Sequence, residues 1–178
     1  LQIGDFTSPI IIEPPFPVKE TRVVQGWDTS DLRRMHSANH VLGIILLRLG
    51  KYSIGIYRGQ TLLSSKTGSR YVKGRHKAGG QSQTRYSRIR DKQIHQIYDK
   101  VCLATLAQFS DMDDPIDYIF LGGDKIIIKA FLKKCYYLET KKDLIVNKNL
   151  HVRQPSLSAL RSVIHELWRS VIITIPAR

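Results

Sequence analysis

The stretch from Val41 to Ser65 constrains this chain most. Val41 to Leu49 is almost continuously apolar, Gly50-Lys51 is turn-like and Tyr52 to Tyr57 alternates, so the two runs read as a β-hairpin. Gly59-Gln60 then opens a third strand over Thr61 to Ser65. Farther on, Ile94, Ile97, Tyr98, Val101 and Thr105 recur at helical spacing, which predicts a long helix over Thr84 to Phe109. Asp113-Asp114-Pro115 breaks that pattern, and Ile116 to Leu121 reads as a buried strand ending at Gly122-Gly123. Asp124 stands where it can cap a helix over Lys125 to Lys134, with apolar positions at Ile127, Ile128, Phe131 and Leu132. Tyr136 to Leu138 reads as another strand. After Pro155, the set Leu157, Leu160, Ile164, Leu167 and Val171 marks an amphipathic helix. The expected fold class is α/β, a mixed β-sheet packed with helices.

Residues 1–28 carry Pro9, Pro14, Pro15 and Pro17 among short apolar pieces such as Ile10-Ile11-Ile12, which suits an extended arm or edge strand. Ser30 is positioned to cap a short helix through about Asn39. The expected organisation is therefore an arm and short helix over 1–40, and one domain over 41–178 with a loop at about 66–83. At 178 residues with 42% hydrophobic content, one packed domain is the default and disorder is not expected.

Charge narrows the partner. The 28 Lys and Arg against 15 Asp and Glu leave a formal net charge of +13, which favours a polyanion over a neutral metabolite. Residues 66–92 concentrate it: Lys66, Arg70, Lys73, Arg75, Lys77, Arg85, Arg88, Arg90 and Lys92 stand against Asp91 alone, a net of +8. Like charges repel unless phosphates lie between them, so this polar, glycine-bearing loop reads as an RNA-facing element. Its length is uncommon for a connector without a function. The positive end of the following helix dipole adds to the same potential.

Cys102 and Cys135 sit on apolar stretches without metal-like spacing or a disulfide framework, so reduced structural thiols are expected. No apolar run is long enough to span a membrane, and no signal-peptide pattern opens the chain, which points to the cytoplasm. The chain begins at Leu1 instead of Met, which fits a fragment or a processed form.

Gly79-Gly80-Gln81-Ser82, followed by Arg85-Tyr86-Ser87-Arg88-Ile89-Arg90, resembles the GGQ loop and following helix of eukaryotic and archaeal class I release factors. The tripeptide sits in a basic loop after a three-stranded segment, with the family's Ser, Arg-aromatic and Arg-x-Arg positions behind it. Gly122-Gly123-Asp124 is similar to the family's glycine-bearing strand end. The likeness extends from about Val41 to the C-terminus and covers the central, catalytic domain. It leaves no room for a codon-reading domain, so stop-codon recognition is not expected. The better match in kind is the release-factor-like peptidyl-tRNA hydrolases of ribosome-associated quality control. Their eukaryotic members lack the strict GGQ tripeptide and carry the glutamine at a different spacing, which leaves Gln83 as a second candidate beside Gln81.

The resemblance implies codon-independent hydrolysis of the ester joining a nascent peptide to tRNA, in the peptidyl-transferase centre of the large subunit. The implied partners are large-subunit rRNA and peptidyl-tRNA, with no cofactor, no metal and no membrane, and the protein acting as a monomer. Gly79 and Gly80, with Ala78 small beside them, let the backbone approach an ester carbonyl without a Cβ in the way. The Gln81 N–H can donate to the developing oxyanion, and its side-chain amide can orient water. An amide is no general base near neutrality, so the catalysis implied is positional.

Other readings compete. A ribosome- or tRNA-binding module could keep the fold and charge without releasing peptide. No carboxylate cluster suggests a two-metal nuclease, and neither phosphate-binding glycine motif is present. His36 and His40 lie four apart without a suitable third ligand, so zinc is not expected. His76 in the basic loop is either a phosphate contact or a solvated residue. Trp27, Tyr86 and Trp168 are either core residues or bases' stacking partners, the former being more usual.

Overall fold

The computed structural model describes residues 10–74, 81–148 and 150–175. The chain divides into two compact units, residues 39–163 and a second made of 1–38 with 164–178.

The larger unit is built on a four-stranded sheet. β2 (Val41–Arg48), β3 (Lys51–Arg58) and β4 (Thr61–Ser69) follow one another antiparallel, while β5 (Tyr118–Gly123) pairs parallel with β2, giving the order β4-β3-β2-β5. The apolar run in β2 is a strand covered on both faces, as an inner strand with a parallel neighbour requires. On one face Val41, Ile45, Leu47, Ile54, Ile56, Ile119 and Leu121 share a core with Ile97, Tyr98 and Val101 of α2 (Gln81–Ser110) and Phe131 of α3 (Lys125–Leu132). On the other face Leu42, Ile44, Leu46 and Phe120 are equally buried, and Leu160 of α5 (Leu157–Leu167) lies over the bare Cα of Gly55. Each such fully buried aliphatic or aromatic side chain contributes roughly 1.5–3 kcal/mol.

The predicted hairpin, long helix, buried strand and last helix are all present, and the fold class is the α/β mixed sheet expected. Asp124 caps α3 as expected, its Oδ1 accepting from the Ile126 and Ile127 N–H groups at 2.9 and 3.2 Å.

Five local readings need correcting. The third strand continues to Ser69 instead of stopping at Ser65, because β3 runs back to Lys51 and its backbone groups take residues 66–69 as partners; Lys66 therefore lies on β4. Tyr136 to Leu138 is not a strand but part of the helical turn α4 (Tyr136–Glu139), since Lys134 and Cys135 donate to the Phe131 carbonyl and continue the turn that ends α3. Val171 does not belong to the last helix, which stops at Leu167; it opens β6 (Val171–Thr174), the spacing of four from Leu167 being coincidental with helical periodicity. Ser30 is the first helical residue, not the cap: its N–H is taken by the Asp28 carboxylate at 2.8 Å. Finally, Cys102 and Cys135 are not reduced thiols but a disulfide with Cα atoms 5.3 Å apart, formed because α2 runs beside the residue preceding α4.

In the smaller unit β1 (Ile10–Glu13) pairs antiparallel with β6, so the Ile10-Ile11-Ile12 piece of the proline-rich segment is an edge strand. Phe16 meets Trp168 edge-to-face at 4.9 Å, and Arg22 bridges Asp28 and Asp31 beside α1 (Ser30–Ser37).

Candidate functional site

β4 hands over to α2 through residues 70–80, of which Arg75, His76, Lys77, Ala78, Gly79 and Gly80 lie outside the described residues. Gln81 is the first residue of α2, and Gln83 stands exposed in its first turn. The helix therefore begins three residues before Thr84, and both candidate glutamines belong to it. Its 30 residues span about 45 Å, and no acid occupies the first turn to offset the helix dipole.

The described start of the connection runs along α2. Lys100 Nζ donates to the Ser69 carbonyl at 3.1 Å, Arg70 donates to Gln96 Oε1 at 2.7 Å, and the Lys73 N–H donates to Gln93 Oε1 at 2.9 Å. Arg90 Nε donates to the Lys73 carbonyl at 2.9 Å, and the Lys73 ammonium sits 3.8 Å above the Tyr86 ring. From Lys100 to Tyr86 these contacts climb roughly 21 Å of helix toward its N-terminus. Both backbone groups of Lys73 are thus satisfied by α2 side chains, which fixes a segment that has no secondary structure of its own.

The nine basic residues named from sequence separate into distinct groups. Arg85, Arg88 and Lys92 fall at i, i+3 and i+7, so they form one exposed stripe along the start of α2, and none of them makes an ion pair among the described residues. Arg90 faces away from that stripe, toward Lys73. Arg70 and Lys73 are engaged in the contacts just described, Lys66 is exposed on β4, and Arg75 and Lys77 lie outside the described residues. Gln93 and Gln96, which hold the connection to the helix, were not singled out from sequence; three apart on a helix, they carry no signal that distinguishes them from solvated glutamines.

The remaining candidates resolve simply. His40 Nδ1 lies 3.5 Å from Asp117, whose carboxylate also accepts the Val41 N–H at 2.8 Å; His36 Nε2 lies 3.0 Å from Ser170 Oγ. Among the described residues no group of three His, Cys, Asp or Glu stands together as a metal site, and no helix is long and apolar enough to cross a membrane. Trp168 is buried, whereas Trp27 is 71% exposed and Tyr86 39% exposed.

Known proteins share this sequence pattern. A family model described as Actinobacteria/chloroflexi VLRF1 release factor matches residues 40–173. Peptide chain release factor subunit 1 of Methanopyrus kandleri is 31% identical over 140 residues, covering 76% of this chain and 34% of that protein. The same factor from Methanococcus maripaludis is 31% identical over 140 residues, covering 76% of this chain and 33% of its own length. The chain thus spans about a third of the length of these relatives. A crystal structure of archaeal translation termination factor aRF1 aligns at 17% identity with a TM-score of 0.48, covering 79% of this chain and 40% of that one. With a family model matched over residues 40–173, the chain belongs to the Actinobacteria/chloroflexi VLRF1 release factor family.

Proposed function

We propose that this chain is a codon-independent peptidyl-tRNA hydrolase that frees nascent peptides from stalled ribosomes or large subunits. In this reading Gly79-Gly80-Gln81 enters the peptidyl-transferase centre, with Gln83 as the alternative glutamine. The observation that carries it is the exposed stripe of Arg85, Arg88 and Lys92 directly behind Gln81. A polyanion met at the start of α2 would pay these side chains' repulsion back as released counterions. The N–H groups that any α-helix presents at its start, together with its dipole, favour negative charge at the same end, which suits an oxyanion near Gln81.

The chemistry asked of the protein is modest. A backbone N–H stabilises the oxyanion, the glutamine amide orients water, and the proton passes to substrate hydroxyls and RNA, because no side-chain base of suitable pKa belongs to the motif. The reading requires no metal or cofactor and describes a cytoplasmic monomer whose partners are large-subunit rRNA and peptidyl-tRNA. A binding module without hydrolysis is the alternative.

A release assay with labelled peptidyl-tRNA on purified ribosomes and on isolated large subunits tests this. Gln81→Ala should lose release and keep nearly full ribosome binding, since one polar side chain adds little to an affinity set by phosphate contacts. Loss in Gln83→Ala alone assigns the role to that residue. No release by the wild type on either substrate leaves the binding module.

A further inference from the structure

At the end of the sheet, the β2–β3 turn, the last residues of β4 and the segment 153–155 enclose an open cleft of about 770 Å³. Arg48, Lys51, Arg70 and Arg153 line it, against Asp124 as its acid. Asp124 is already occupied, accepting the two N–H groups at the start of α3. None of the four cations makes an ion pair among the described residues. Two are held in place: Arg48 donates to the Arg153 carbonyl at 2.7 Å and Arg70 to Gln96 at 2.7 Å. A guanidinium has five N–H donors, so these anchors leave most of each fork available. Tyr71, 75% exposed, stands in the same lining.

We infer that this cleft is a second RNA site, taking the phosphodiester backbone of a single-stranded segment with one unstacked base on Tyr71. Cations gathered in a concave surface without acid partners, two of them held in place, suit phosphate oxygens, and Arg forks bind them bidentately. An exposed ring beside them suits a base face, and cationic tracks with aromatic platforms are how single strands are held. The cleft is larger than one phosphate needs and open, which favours a chain over a free anion. Its level on α2 is that of Gln96, 15 residues from Gln81 and so roughly 22 Å along the helix. One RNA can therefore meet the cleft and the Arg85, Arg88 stripe as two separate points. The inference rests on the RNA-facing reading above, not on hydrolysis.

The test is fluorescence anisotropy of a labelled oligouridine of roughly 12 nucleotides with the full chain over a salt series. Lys51→Ala with Arg153→Ala should flatten the log–log salt slope by about 1.4, two single-strand contacts, while Lys51→Arg with Arg153→Lys keeps the slope. Tyr71→Ala should weaken binding about tenfold with little change of slope. An unchanged affinity and slope in the double alanine variant, with a wild-type melting curve, overturns the site. Displacement of the oligonucleotide by low-millimolar inorganic phosphate, with Tyr71→Ala binding like wild type, overturns the assignment to RNA in favour of a simple anion site. Release is not read here, so activity retained in Gln81→Ala would sink the catalytic assignment and leave this result standing.

Discussion

Arg90 Nε donates to the Lys73 carbonyl at 2.9 Å, so an arginine that the sequence groups with Arg85 and Arg88 ties the β4–α2 connection to the helix. Charge pattern alone treats the three alike, whereas their angular positions on α2 divide them.

The division is measurable. Arg90→Ala removes a partly buried charge-assisted hydrogen bond and should cost about 1–2 kcal/mol in a denaturant melt. Arg85→Ala with Arg88→Ala should leave stability within about 0.5 kcal/mol and flatten the salt dependence of tRNA binding by about 1.5. Equal effects of both variants on melting and slope would show that the split is wrong.

The Cys102–Cys135 disulfide closes a loop across a sequence separation of 33, linking α2 to the turn before α4. Restricting the unfolded chain over that length stabilises by roughly 3–4 kcal/mol in the chain-entropy account. A reductant should lower the denaturation midpoint of the wild type and leave that of Cys102→Ser with Cys135→Ser unmoved. A wild-type midpoint indifferent to reductant would mean that the bond contributes nothing.

What the sequence made legible follows from how local each signal is. The apolar run of β2, the alternation in β3 and the helical spacing from Ile94 to Thr105 announce themselves within one element, and Asp124 needs only the next three residues to act as a cap. Pairing partners are not local: Lys66 to Ser69 are polar, and only the length of β3 makes them strand. Val171 pairs across the chain with Glu13, a relation that no short window contains. Likewise, the bond between Cys102 and Cys135 depends on where α2 and α4 come to lie. In the candidate site the sequence marks charge, yet which cations face RNA and which hold the scaffold depends on their rotation about the α2 axis. The two glutamines that anchor Arg70 and Lys73 become visible only in three dimensions.

Alkaline pH should expose the tyrosine core. Burial raises the phenols of Tyr52, Tyr57, Tyr98 and Tyr137 above the ordinary value of 10.0; the Asp124 charge adds to this at Tyr98, while Arg161 opposes it at Tyr57 and a hydrogen bond with Ser110 opposes it at Tyr137. A folded value above the unfolded one means that the native state holds the proton more tightly. The contribution is therefore complete below about pH 10 and is lost as pH rises through the folded values. Denaturant midpoints should fall above about pH 10, with a late-titrating class in the tyrosinate absorbance. All phenols titrating together near 10 in the folded protein would contradict this.

Gly123 closes β5 at a φ of +124°, and a Cβ built there would run into the Leu47 carbonyl of β2. That carbonyl accepts the Asp124 N–H at 3.4 Å, while the Gly123 N–H donates to the Leu150 carbonyl at 3.0 Å. The residue therefore sits where β5 must pass close to β2 and then turn to place Asp124 at the start of α3. Relieving the clash would move either the β2 backbone, which the core packs on both faces, or the Asp124 cap and with it one wall of the basic cleft. Gly26 offers a built-in comparison, with φ at +79° and nothing within 4 Å of its added Cβ. Substituting alanine there meets conformational strain alone, about 1–2 kcal/mol. At Gly123 the steric term adds to it, so Gly123→Ala should cost about 3–5 kcal/mol and weaken oligouridine binding at the cleft as the cap shifts. Urea melts of the two variants decide the matter: if Gly123→Ala loses no more stability than Gly26→Ala, the close approach of β5 to the Leu47 carbonyl does not fix the end of this sheet.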